Sequence, residues 1–167
     1  MKIRYGFVSN SSSSSFLVKL PKCEDITFEK IHRLMFGRDD DFEVSYYGDP
    51  VSSFSLAQIV TSDLLLATPN NESEIVPNLS SGAAAPCTDD FEYPVSPISN
   101  EKPIYAWNNP EYNKARKVFD GLIFNEYLKE NPDVNTYVLT YSDDNTTGSI
   151  LEHAGFLNSF SEKFSND

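Results

Sequence analysis

The chain has 167 residues, enough for one domain with a core of its own. Hydrophobic residues make up 40% and charged residues 23%, both near globular averages, which excludes wholesale disorder. The formal net charge is −12, from 25 acidic against 13 basic residues. That balance argues against direct nucleic-acid binding and against an anionic membrane surface; it permits a basic protein partner or divalent cations, and its plain reading is simple solubility.

Cys23 and Cys87 lie far apart and outside any CxxC pairing, so they read as reduced cytosolic thiols rather than a disulfide framework. Lys2 and Arg4 imitate the start of a secretion signal, but a run of serines interrupts any apolar segment after them. No stretch approaches about 20 apolar residues, so no membrane-spanning helix is expected.

In chain order, Ile3, Tyr5 and Phe7 alternate with polar or small residues, the period of a half-buried strand. Five consecutive serines, Ser11 to Ser15, then lead into a second apolar run, Phe16 to Leu20, closed by Pro21. Two strands joined through Val8–Ser15 would form a wide hairpin or neighbouring strands, with the serines in a structured loop. Residues 27–36 read as a helix capped by Thr27 or Asp25, with Phe28, Ile31, Leu34 and Met35 on one stripe and Gly37 as its stop. After the Asp39-Asp40-Asp41 turn, Phe42 to Tyr46 reads as a strand broken by Gly48-Asp49-Pro50.

Ser55-x-x-Gln58 matches a capping box and opens a helix to about Ala67. Residues 68–103 hold six of the ten prolines and read as a long loop or irregular arm, followed by a short strand at Ile104–Trp107. Asn109, Pro110 and Glu111 make a strong start for a helix over 110–130, whose apolar stripe is Tyr112, Ala115, Val118, Phe119, Leu122, Ile123 and Tyr127. Thr136 to Tyr141 alternates as a strand. A turn over Ser142–Gly148 precedes a last helix, with Ser149-x-x-Glu152 as a second capping box. The expectation is a single α+β domain over 1–167, with a mixed or antiparallel sheet of short strands, about four helices and the arm at 68–103.

Two segments could carry chemistry. The hydroxyls of Ser11, Ser12, Ser13, Ser14 and Ser15, with Asn10, could surround a phosphate or an oxyanion, although no glycine-rich cradle or lysine follows. The bland alternative is a polar loop or strand edge. The second segment is Asp143-Asp144-Asn145 followed by Ser149, Glu152 and His153. Asp143, Asp144 and His153 could hold Mg²⁺ or Mn²⁺, or His153 could serve as a general base. Each piece also has a plainer use, since Asp and Asn form turns and Glu152 completes a capping box. His32 reads as a partly buried structural histidine. No Gly-x-Ser-x-Gly elbow supports a hydrolase triad.

The opening Arg4-x-Gly6-Phe7-Val8-Ser9-Asn10 followed by Ser11 to Ser15 and Phe16 resembles a start that recurs in uncharacterised proteins of bacteriophages and their bacterial hosts. The segment Tyr141 to Asn145 and the stretch Ser149 to His153 are similar to the C-terminal region of some of them. The resemblance covers about a sixth of the chain. It implies a cytoplasmic phage-type accessory protein, and it brings no activity with it. It adds one expectation, that the serine tract and the Asp/Glu/His segment meet in the fold. The leading reading is a non-enzymatic module that binds a host or phage protein through an acidic surface. The alternative is a small metal- or nucleotide-dependent enzyme using the serine loop with Asp143, Asp144 and His153.

Overall fold

The computed structural model describes residues 13–46, 49–82 and 110–165. Its elements run β1 (Ser13–Pro21), α1 (Phe28–Phe36), β2 (Glu43–Val44), β3 (Val51–Ser52), α2 (Ser53–Leu66), α3 (Glu72–Gly82), α4 (Pro110–Glu130), β4 (Val134–Ser142), α5 (Thr146–His153) and β5 (Ser161–Ser165). Among the described residues, five helices with small sheets of short strands make an α+β protein, as the sequence leads one to expect. The chain gathers into two compact units: one joins residues up to Pro69 with those from Asn135 onward, and the other is Asn70–Val134. The proposed hairpin partner at Ile3–Phe7, the strand at Ile104–Trp107 and the cap at Asn109 lie outside the described residues.

In the first unit, β1 is the middle strand of a sheet ordered β4-β1-β5. Alternation sends Phe16, Val18 and Leu20 to the core face, and by the same period Ser14 shares that face. The pairing of β1 with β5 is antiparallel, with Ser14 opposite Ser165, Phe16 opposite Lys163 and Val18 opposite Ser161. The described part of the serine tract is therefore not a loop. Ser13 to Ser15 form the start of the central strand, because sheet pairing on both sides outweighs the weak strand preference of serine.

Helix α1 begins at Thr27, whose hydroxyl accepts from the Lys30 amide, and stops at Gly37. Gly37 takes φ 69°, and its N–H closes the last turn on the Arg33 carbonyl at 2.8 Å. Helix α2 starts one turn earlier than the Ser55 capping box suggests. Its cap is Ser52, and Asp41 Oδ1 also accepts from the Phe54 amide at 3.1 Å, so a residue from the preceding turn fixes where the helix begins. The expected strand over 42–46 shortens to Glu43–Val44, which pairs antiparallel with Val51–Ser52. Leu56, Val60 and Leu64 of α2 meet Ile31 and Met35 of α1 and Tyr137, Leu139 and Tyr141 of β4 in one core.

The second unit packs α3 against α4. Part of the stretch expected to be irregular is thus a helix. Asn71 starts it: its carbonyl accepts from the Ile75 amide at 3.0 Å, and its side chain accepts from the Ser73 amide at 3.2 Å. Pro77 sits inside the helix, and burial of its neighbours Ile75 and Val76 offsets the lost backbone bond.

Candidate functional site

The serine tract and the C-terminal segment do meet. Ser14 is 2% exposed, and its hydroxyl donates to Glu152 Oε1 at 3.0 Å. Glu152 is itself only 2% exposed although it carries a carboxylate. It lies beside Ile150 and Leu151, both buried, on the inward side of α5. Its other oxygen, Oε2, stands 3.5 Å from His153 Nε2. The His153 ring stacks on Tyr46 with centroids 5.8 Å apart. From β5, Lys163 Nζ donates to the Glu152 carbonyl at 2.7 Å, closing the C-terminal end of α5, and passes 5.8 Å from the Phe16 ring.

Ser15 points to the other face of β1, where its hydroxyl lies 3.2 Å from that of Thr140 on β4. This is a cross-strand pair of the kind that fixes two strands side by side. Ser13 is half-buried at the start of β1. Asn10, Ser11 and Ser12 lie outside the described residues.

The Asp143-Asp144-Asn145 segment serves the turn between β4 and α5. Asp144 accepts from the Ser142 hydroxyl at 2.7 Å, and Asp143 is exposed. Asn145 caps α5, its side-chain oxygen accepting from the Gly148 amide at 2.9 Å. This corrects the second capping box: the helix starts one turn before Ser149, and Glu152 bonds to Ser14 instead of to the helix start. Gly148 is required there, since a Cβ at that position would run into the Ser142 carbonyl oxygen. Among the described residues, no group of three His, Cys, Asp or Glu side chains is placed to hold a metal ion.

No family model, curated protein or solved structure matches the chain.

The connectivity of the cluster decides what it can do. In a serine hydrolase the imidazole stands between hydroxyl and carboxylate, so that it can take the hydroxyl proton. Here the carboxylate stands between: Ser14 bonds to Glu152, and His153 lies beyond it. A buried hydroxyl donating to a buried carboxylate is an arrangement that holds β1 to α5.

A second buried polar group joins α1 to α2. His32 is enclosed by the rings of Phe28, Phe36, Phe42 and Phe54. Its Nε2 lies 3.1 Å from the Ser53 hydroxyl. That hydroxyl has one proton and donates it to Asp41 Oδ1 at 3.1 Å, while accepting from the Phe42 amide at 3.2 Å. The remaining role is acceptor, so His32 carries its proton on Nε2. Donation from Ser52 first, and from the Phe54 amide second, holds the Asp41 carboxyl below the usual carboxylate range. His32 is thus fully inside the fold and satisfied there, deeper than the sequence suggests.

Proposed function

We propose that the protein is a phage-type accessory protein, a non-enzymatic module that binds a basic host or phage protein in the bacterial cytoplasm. The observation that supports this is where its cations go. In the first unit Lys19 pairs with Glu162 at 2.6 Å, Lys30 with Glu24, Arg33 with Asp39 at 2.7 Å, and Arg38 with Asp40. The Arg33 and Arg38 guanidinium groups hold the Asp39 and Asp40 carboxyls below their ordinary range, chiefly through hydrogen bonds. Each of these pairs cancels a positive charge beside a negative one. The surplus behind the net charge of −12 is left on other carboxylates, among them exposed Asp25, Glu29, Glu43 and Asp49. Such a field attracts basic partners and repels nucleic acid and anionic lipid. No helix among the described residues is long and apolar enough to cross a membrane.

The test is capture from bacterial lysate on the immobilised protein, followed by identification of what is retained. Basic proteins should be held at low salt and released by about 0.5 M salt, where screening is strong. Retention of nothing above background overturns the reading.

The second reading, a small metal- or nucleotide-dependent enzyme, draws its support from the contact of Ser14 with Glu152 beside His153. It predicts a rise in melting temperature with Mg²⁺, Mn²⁺ or a nucleotide, removed by Asp144→Ala with His153→Ala. The absence of any such rise sinks it.

A further inference from the structure

Side chains four residues apart on a helix stand in a row and form a ridge. On α4 the row Phe119, Ile123 and Tyr127 is half-buried to buried. The adjacent row is Lys114, Val118, Leu122 and Glu126, and all four are exposed. Val118 and Leu122 are 57% and 60% exposed, two large apolar side chains side by side in the middle of this ridge. A lysine bounds them toward the start of the helix and a glutamate toward its end.

We propose that this ridge is a self-docking surface, on which two copies of the chain associate through antiparallel α4 helices. A two-fold axis beside position 120 sets Val118 against Leu122 of the second copy, and Lys114 against Glu126 of the second copy. Symmetry repeats each contact, so both apolar pairs and both charge pairs are made at once. The reverse, parallel orientation would set Lys114 against Lys114 and Glu126 against Glu126, which like-charge repulsion disfavours. Packing such four-residue ridges together is the commonest helix–helix class, and it lays the two ridges alongside each other.

Charge also selects a second copy over a basic partner at this place. The net charge of −12 makes two copies repel over most of their surfaces. On α4, however, exposed Lys114, Lys117 and Lys129 stand against exposed Glu126 and Glu130, so the field is locally balanced. A strongly basic ligand would meet Lys114 and Lys117 here. The inference is independent of the acidic-surface reading, which concerns carboxylates of the other unit.

Sedimentation equilibrium of the full chain tests it. The wild type should move from 18.8 kDa toward twice that mass as concentration rises. Lys114→Glu and Glu126→Lys, each alone, should weaken association by about tenfold or more. Mixed in equal amounts the two variants should associate again, because one then carries glutamate and the other lysine at both positions. Val118→Ser with Leu122→Ser should abolish the dimer while far-UV circular dichroism stays unchanged. A wild type that remains at 18.8 kDa throughout overturns the proposal. So does a mixture of the charge variants that stays monomeric, or a Val118→Ser/Leu122→Ser chain that still dimerises.

Discussion

Replacing Ser14 with alanine removes one oxygen atom, and the structure sets what that oxygen is worth. Ser14 and Glu152 are each 2% exposed, so solvent does not replace the lost donor. The bond at 3.0 Å ends on a carboxylate, and hydrogen bonds to charged groups contribute about 1.5–3 kcal/mol. In a chain of this length 1 kcal/mol moves the melting temperature by about 2–4 °C, so Ser14→Ala should lower it by about 3–12 °C. Ser13→Ala, at a half-buried position, serves as the control and should stay within about 0.5 kcal/mol of wild type. Urea unfolding should show the loss in the midpoint with the slope unchanged. Combining Ser14→Ala with Glu152→Gln should reveal a coupling of about 1–2 kcal/mol, since the two side chains share one bond. If Ser14→Ala costs no more than Ser13→Ala, the serine is not holding α5 to the sheet and the reasoning fails.

Other substitutions reach different contacts. Tyr141 donates to Asp63 Oδ2 at 3.0 Å in a part-buried contact, and Tyr141→Phe should cost about 1.5 kcal/mol by thermal or urea unfolding. Burial first, and the Asp63 charge second, raise the Tyr141 hydroxyl above the ordinary tyrosine range. Because the folded value lies above the unfolded one, this stabilisation is complete below about pH 10 and is lost as the pH rises further. Wild-type stability should therefore fall above about pH 10 more steeply than that of Tyr141→Phe, and parallel curves would contradict the assignment. Gly148→Ala pushes a methyl group at the Ser142 carbonyl, and forcing the turn open should cost about 1–3 kcal/mol. An unchanged melting temperature would show that the turn yields freely.

Elements whose signals were local could be read directly from the sequence. Thr27 and Gly37 bracket α1, the alternation of Tyr137, Leu139 and Tyr141 marks β4, and Pro110 opens α4. Where the deciding partner is distant, local reading slips by a turn. Ser55 and Ser149 each satisfy a capping pattern, yet Ser52 and Asn145 do the capping, three and four residues earlier. For α2 the choice is made by Asp41, which a capping pattern cannot see. β5 has little apolar content in Ser161–Ser165 and exists because β1 offers it an edge. The helix at 72–82 had a signal, Asn71-x-x-Glu74, that the surrounding prolines obscured.

The site divides in the same way. That Ser14 shares a face with Phe16 follows from the strand period once the strand is known to start at Ser13. That Glu152 is buried could not be read, because its spacing from Ser149 equally suits an exposed cap. Ser15 with Thr140, and Lys163 on the end of α5, are products of sheet order, which no local pattern encodes.

The most direct test of the whole account compares three proteins in the same lysate capture: wild type, Ser14→Ala, and Asp25→Lys with Glu43→Lys and Asp49→Lys. If serine and Glu152 serve the fold while the acidic surface binds, Ser14→Ala retains the same basic partner as wild type and the charge-reversed protein loses it. Loss of the partner in Ser14→Ala at a temperature where it is folded, with full retention by the charge-reversed protein, would contradict the account.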